Sequence, residues 1–408
     1  MSIIDAVFFF YMFIGLYMLS LLLFIYFPNR KKLFEHPKGK AVPVSVIIPC
    51  YNDGEHIQDT LDSILALDYP KKMIEIIVVD DKSTDNSAEV VREYAKSHGQ
   101  VRLIINERNS GGAAEPTNIG IRAAKNDFIA VADADSSPRK DALIKMIGFL
   151  QNDKVVGGVT CAVLSKTPVT FIQKLQAIEY KIIAFNRKLL DAVDAVYVTP
   201  GPFAVYRKQT LLEIGLFDTK NMTQDIEIVW RMLSKGYKAR MCLDTAVYSA
   251  TPEKFGAWFR QRVRWNIGGL QTQIKYKNHL FKQNMLGLFI IPFFSFSLFI
   301  GVLGLGLFAY LMFRRIALAY LTTEYSLSVG TALIRTQDLT FTPSVLNFFG
   351  LALFFLSIGF TFVGLSIMSA DKKDNIFNVL FYVLVYLSVY PFIMLTGMYK
   401  YWRKTYSW

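Results

Sequence analysis

Two aspartates, Asp133 and Asp135, directly follow the apolar run 128–132. On an extended segment their side chains lean to the same side. Two such carboxylates can hold Mg²⁺ or Mn²⁺ against phosphate oxygens. Asp81 stands in another acidic loop, Asp80-Asp81-Lys82-Ser83-Thr84-Asp85. Its carboxylate can accept from an imide N–H such as that of uracil. Tyr51, in the loop Cys50-Tyr51-Asn52-Asp53-Gly54 after Pro49, offers a ring face to a base. Further along stand Thr223-Gln224-Asp225 and Gln261-Arg262-Val263-Arg264-Trp265. On a helix, Gln261, Arg264 and Trp265 share one face. Each motif has a plainer reading. Asp-x-Asp occurs in surface turns, and Asp-Asp after a strand serves as a helix N-cap. Thr223 or Asp225 could cap a helix over 226–235. Trp258, Phe259, Arg260 and Arg262 would suit a headgroup layer.

The order of the surrounding elements favours chemistry over these plainer readings. Val44 to Pro49 is a short apolar run read as a buried strand. Ile57, Leu61, Ile64 and Leu65 then recur at helical spacing. Strands at 76–79, 101–105 and 128–132 follow, separated by helices near 87–97 and up to Ala124. Repeated strand–loop–helix units predict a parallel, Rossmann-like sheet whose ligand lies at the C-terminal strand ends. Those ends carry Tyr51, Asp81, the Gly-rich loop Asn109-Ser110-Gly111-Gly112-Ala113-Ala114, and Asp133-Ala134-Asp135. Neither a Gly-x-Gly-x-x-Gly nor a Walker A pattern is present, which argues against dinucleotide and P-loop folds. Beyond a further strand at 155–163, Phe171 to Ala192 reads as a basic amphipathic helix. Such a helix fits the headgroup layer and a core-facing position equally well.

Apolar residues make up 52% of the 408 residues and aromatics 14%. The excess sits in blocks at the start and after residue 285, which predicts membrane spans around an inserted domain. Ala6 to Phe27 is uncharged and long enough to cross about 30 Å of hydrocarbon. The basic flank Arg30, Lys31, Lys32, Lys38, Lys40 follows it, so the N-terminus is expected outside and the catalytic domain in the cytosol. Further spans are read at 285–313, ended by Arg314-Arg315, at 346–370 and at 376–398. A fourth C-terminal segment at 316–334 is an alternative. The expected organisation is a membrane helix at 1–28, a basic linker at 29–42, a catalytic domain at 43–253, interfacial helices at 254–284 and a membrane region at 285–408. The three cysteines are scattered and the four histidines do not cluster, so neither a disulfide scaffold nor a zinc site is expected. The net charge of +12 is assigned to anionic membrane lipids, with no nucleic-acid partner.

Pro49-Cys50-Tyr51-Asn52, the Asp80-Asp81 loop, the Gly-rich loop, Asp133-Ala134-Asp135, Thr223-Gln224-Asp225 and Gln261 to Trp265 together resemble family 2 glycosyltransferases. The nearest in plan are the membrane-embedded synthases of cellulose, chitin, hyaluronan and poly-N-acetylglucosamine. The resemblance covers residues 43–270 and implies an α/β GT-A (Rossmann-like) cytosolic domain inserted between transmembrane α-helices, with interfacial amphipathic helices. It implies that Pro49, Tyr51, Asp53, Asp81, Asp133, Gln261, Arg264 and Trp265 bind a UDP-sugar donor. Asp133 and Asp135 would bind Mg²⁺ or Mn²⁺. Gly201, Pro202, Phe203, Thr223, Gln224 and Trp265 would form the acceptor site, and Asp225 would be the general base. Two positions depart from the family pattern. Gln224 stands where Glu is usual, which should lower the Asp225 pKa relative to a two-carboxylate site. Ala113 stands near a place where these synthases often carry Lys.

The expected activity is that of a multi-pass cell-membrane hexosyltransferase, inverting and processive. It would extend a polysaccharide at its non-reducing end and secrete it. The alternatives are a single transfer to a lipid-linked acceptor and an inactive sugar-nucleotide sensor. A homo-oligomer stays open. The near absence of charge in the spans argues against a transporter.

Overall fold

The computed structural model describes residues 3–329, 345–369 and 374–406. Its helices, in chain order, begin with α1 (Ile3–Asn29), α2 (Ile57–Leu65), α3 (Ser87–Ser97), α4 (Ala114–Ala123) and α5 (Ala142–Asn152). α6 (Phe171–Asp191), α7 (Lys208–Ile214), α8 (Gln224–Ser234) and α9 (Phe255–Tyr276) follow. The strands are β1 (Val44–Cys50), β2 (Ile74–Asp80), β3 (Val101–Ile105), β4 (Phe128–Val131), β5 (Ser137–Pro138), β6 (Val156–Ser165), β7 (Ala204–Arg207) and β8 (Lys238–Ser249). They form one eight-stranded sheet in the order β3-β2-β1-β4-β7-β6-β8-β5. The first four are parallel, as helical crossovers between consecutive strands require. β7 then runs antiparallel to both β4 and β6.

Strand residues alternate between two cores because successive side chains leave opposite faces. Val44, Val46 and Ile48 of β1 join Ile74, Ile76 and Val78 of β2 in one core. Ile47, Ile77 and Val79 enter the other. That second core continues through Phe185, Leu189 and Leu190 of α6 into Leu19 and Ile25 of α1. The catalytic domain and the apolar helices therefore share buried surface.

Of the two readings open for α6, headgroup layer or core, the helix takes the core-facing one. A reciprocal cap starts it: Thr170 Oγ1 accepts from the Gln173 amide at 3.3 Å, and Gln173 Oε1 accepts from the Thr170 amide at 3.0 Å. The Phe185 ring packs 5.9 Å from Tyr26 of α1 and 5.5 Å from Phe360. Two of its basic residues pair with carboxylates: Lys181 donates to Asp374 at 2.8 Å, and Lys188 to Asp191 at 2.8 Å. α9 also packs part of its surface against protein. Phe255 and Arg260 are exposed, but Trp258 and Arg262 are buried.

Among the described residues, four helices are long and apolar enough to cross a membrane, as in a multi-pass membrane protein. One is α1. A π turn, Leu286–Ile290, leads into α10 (Ile291–Ser328), and α11 (Val345–Met368) follows. The last comprises α12 (Ile376–Phe381), a π turn at Tyr382–Tyr386, a 3₁₀ turn at Leu387–Val389 and α13 (Tyr390–Arg403). The helix of the second span runs unbroken past Arg314-Arg315 to Ser328. The described part of the 316–334 segment is thus a continuation of α10. Residues 330–334, Ala370 and the 371–373 part of the polar connection lie outside the described residues. The last apolar helix runs alongside α9: Tyr386 packs 4.6 Å from the Trp258 ring, and Gln271 donates to the Tyr406 hydroxyl at 3.4 Å.

Candidate active site

A cavity of about 730 Å³ opens at the C-terminal ends of β1, β2 and β4, where the parallel strand order reverses. Pro49, Tyr51, Asp53, Asp81, Asp133, Asp135, Gly201, Pro202, Thr223, Gln224, Asp225, Gln261, Arg264 and Trp265 all line it. Phe203 does not. It is fully buried in the core beside Cys161, because the residues entering β7 alternate faces and this one turns inward. Phe203 is therefore a packing residue and not part of an acceptor surface.

The Tyr51 loop is fastened to the loop after β2. The Asn52 amide donates to Ser83 Oγ at 3.0 Å, and Asn52 Oδ1 accepts from the Thr84 amide at 2.8 Å. The Asp53 amide donates to Ser87 Oγ at 2.9 Å. Tyr51 itself is 47% exposed, which leaves its ring available to a flat ligand. Asp81 is buried and anchors the Gly-rich loop. It accepts from Asn106 Nδ2 at 2.7 Å and from the Ser110 amide and hydroxyl at 2.9 and 2.7 Å.

Asp133 and Asp135 lie in a turn, not on an extended segment. The Ser136 amide closes it onto the Asp133 carbonyl at 3.2 Å. Both carboxylates still line the cavity. Gly201 passes beneath the first of them. A Cβ there would fall 2.7 Å from Asp133 Oδ1 and 2.9 Å from Oδ2. Gly201→Ala is therefore expected to displace the Asp133 carboxylate and lower kcat/KM by about 10²-fold, the usual effect of moving a reacting group by an ångström. Steady-state kinetics beside a melting curve would separate this loss from unfolding.

Asp225 occupies the first turn of α8, where its Oδ1 accepts from the Ile226 amide at 3.0 Å. Thr223 precedes the helix without a side-chain capping bond. The segment before it is gripped by α9. The Met222 amide donates to Gln271 Oε1 at 2.9 Å, and Asn221 Nδ2 to Thr272 Oγ1 at 3.0 Å. Gly268 permits this approach, since a Cβ there would lie 2.1 Å from Thr223 Oγ1.

Burial raises the cavity's carboxyls, and Asp133 is raised further by its acidic neighbours. Enclosure by protein pushes the Asp133 carboxyl up to about 8, with Asp135 and Asp225 adding to the shift and Arg264 opposing it. Loss of water also raises Asp225, against the pull of Arg264, the Ile226 amide and Arg187. With Gln224 beside it, Asp225 is still raised by burial above an ordinary carboxylate. Among the described residues, no three His, Cys, Asp or Glu side chains converge as a ligand set. The chemistry of Asp133 and Asp135 nevertheless suits a hard divalent cation: both offer carboxylate oxygens, and their crowding is relieved by positive charge.

One wall was not foreseen from the sequence. Tyr180, Ile183, Ala184 and Arg187 line the cavity from α6. Their i, i+3, i+4, i+7 spacing was the available signal. Arg187 is 5% exposed, and its Nε has no hydrogen-bond partner. Asn109, Gly111, Gly112 and Ala113 line the cavity from the Gly-rich loop, and Ser249 and Ala250 from the end of β8.

Residues 41–268 match the sequence model of a family described as glycosyltransferase-like family 2. The chain belongs to that family. The match includes each strand-end loop and ends just past Trp265. The chain is 29% identical over 365 residues to the poly-β-1,6-N-acetyl-D-glucosamine synthase of Staphylococcus epidermidis, covering 89% of this chain and 82% of that protein. The Staphylococcus aureus (strain COL) protein of the same name is 28% identical over 299 residues, 72% of each chain. Among solved structures, the mannosyltransferase PcManGT from Pyrobaculum calidifontis, in complex with GDP-Man and Mn²⁺, shares the fold. It has 18% identity and a TM-score of 0.58 over 98% of this chain and 99% of its own. The expected GT-A domain, flanked by apolar helices, is thus the observed fold.

Proposed function

We propose that this family 2 enzyme transfers a sugar from a UDP-sugar, with inversion, to the non-reducing end of a growing polysaccharide. N-acetylglucosamine is the first candidate sugar, because the relatives above are poly-N-acetylglucosamine synthases. The observation that carries this reading is the convergence of Tyr51, Asp81, Asp133, Asp135, Asp225 and the Gln261–Trp265 face on one cavity.

Tyr51 stacks on the uracil and Asp81 accepts from its imide, at the end fixed by the Gly-rich loop. Asp133 and Asp135 would hold Mg²⁺ or Mn²⁺, which would supply positive charge to the leaving diphosphate. Trp265 and Tyr180 offer ring faces to the acceptor sugar. Arg264 and Arg187 provide the cationic side of the cavity. Asp225 takes the proton from the acceptor hydroxyl. The acceptor oxygen forms its bond to the anomeric carbon as the bond to the diphosphate breaks, and UDP leaves with that electron pair. Attack from the face opposite the diphosphate inverts the configuration.

A donor screen tests this reading by measuring UDP release from the purified, membrane-extracted protein. UDP-N-acetylglucosamine is expected to give the highest rate. Preference for a GDP-sugar, or nucleotide binding without turnover of any donor, would refute it.

A further inference from the structure

The substrate-facing motif contains an arginine that faces away from substrate. Arg262 is 2% exposed and lies outside the cavity lining, although its neighbours Gln261, Arg264 and Trp265 all line the cavity. Its guanidinium reaches Glu179 of α6, also 2% exposed. Nε donates to Glu179 Oε1 at 3.2 Å and Nη2 to Oε2. Two tyrosines of the last apolar helix complete the shell. Tyr386 donates to Oε2 at 2.6 Å and Tyr390 to Oε1. Each oxygen of Glu179 thus accepts one N–H and one O–H, so the buried charge is fully partnered.

Arg262 acts on its own helix as well. Its guanidinium carbon lies 4.0 Å from the centre of the Trp265 ring, and Nη1 donates to Gln261 Oε1. It is also 5.7 Å from the ring of Tyr180 on the opposite wall. One buried cation therefore touches Gln261, Trp265 and Tyr180.

We propose that Arg262 is a positioning residue for Gln261 and Trp265, and that Glu179, Tyr386 and Tyr390 lock it in place. The last apolar helix then sets the geometry of the surface on which the acceptor rests. A planar fork is required, because a point charge can pair with Glu179 but cannot also stack on Trp265. The inference rests on the proposed roles of Gln261 and Trp265 in binding substrate.

Glu179→Gln strands a buried guanidinium and can fail to fold, so the test uses the full chain carrying Tyr386→Phe and Tyr390→Phe together. These changes keep both rings and remove two O–H donors. We expect kcat/KM for UDP release from UDP-N-acetylglucosamine to fall about tenfold, with the Kd for UDP, whose base sits at Tyr51 and Asp81, unchanged within about twofold. On a Trp265→Ala background the same changes are expected to cost less than about threefold, because their effect runs through Trp265. Arg262→Lys, which keeps the charge, should lose as much as the double tyrosine variant. Wild-type rates in the double tyrosine variant, equal losses on both backgrounds, full activity of Arg262→Lys, or a matching loss of UDP affinity would each overturn the proposal. A wild-type protein that neither binds UDP nor turns over the donor overturns the donor reading, and this inference with it. A fully active wild type with equally active variants overturns this inference alone.

Discussion

Asp225→Asn is expected to lower transfer by about 10²–10⁴-fold, the range for loss of a positioned general base, while leaving the Kd for UDP unchanged within about twofold. The carboxamide has nearly the same shape, and its oxygen can still accept from the Ile226 amide as Asp225 Oδ1 does at 3.0 Å. Only basicity is lost. A helix-capping role gives the opposite pattern: Asn caps about as well as Asp, so both stability and rate would barely change. Parallel measurement of UDP release and calorimetric UDP binding separates the two. Enclosure already raises the Asp225 carboxyl, with Arg264 and Arg187 opposing the shift. Arg264 and Arg187, which line the same cavity, favour its charged form against that burial.

The second large effect concerns the paired carboxylates after β4. Asp135→Asn is expected to lower kcat by about 10²–10³-fold, the size seen when one electrostatic partner of a developing charge is removed. Chelation of divalent cations should abolish activity in the wild type, and added Mn²⁺ or Mg²⁺ should restore it. Asp133 is pushed up to about 8 first by enclosure and then by Asp135. Asparagine at 135 removes that neighbouring charge, so the Asp133 carboxyl should move back toward the ordinary range. A merely structural acidic turn would be relieved by the same change, and the protein would gain stability with no loss of rate. Unaltered turnover in chelator would argue against the cation.

Much of the donor half was legible because it is local. A strand that ends in a loop announces both by short apolar runs and polar punctuation, and β1 to β4 place Tyr51, Asp81 and Asp133 at their ends as expected. The misread parts depend on what covers a surface. α6 has the composition of a headgroup helix, yet Lys181 and Lys188 find carboxylates and Arg187 turns to the cavity. Periodicity identifies a face but not its neighbour. Phe203 was grouped with Gly201 and Pro202 by adjacency, whereas the alternation into β7 sends it to the core. Arg262 suits a headgroup layer only in the plainer reading of its motif, and the structure buries it instead. Its partner Glu179 is 83 residues away in sequence, and no local pattern links them.

The central claim, repeated transfer from a UDP-sugar, is tested most directly by the size of the product. Purified protein in lipid vesicles would be given labelled UDP-N-acetylglucosamine, and the product resolved by length and by partition into organic solvent. The account predicts a long, water-soluble chain that is absent in Asp225→Asn. A product carrying one added sugar that partitions into the organic phase would contradict it.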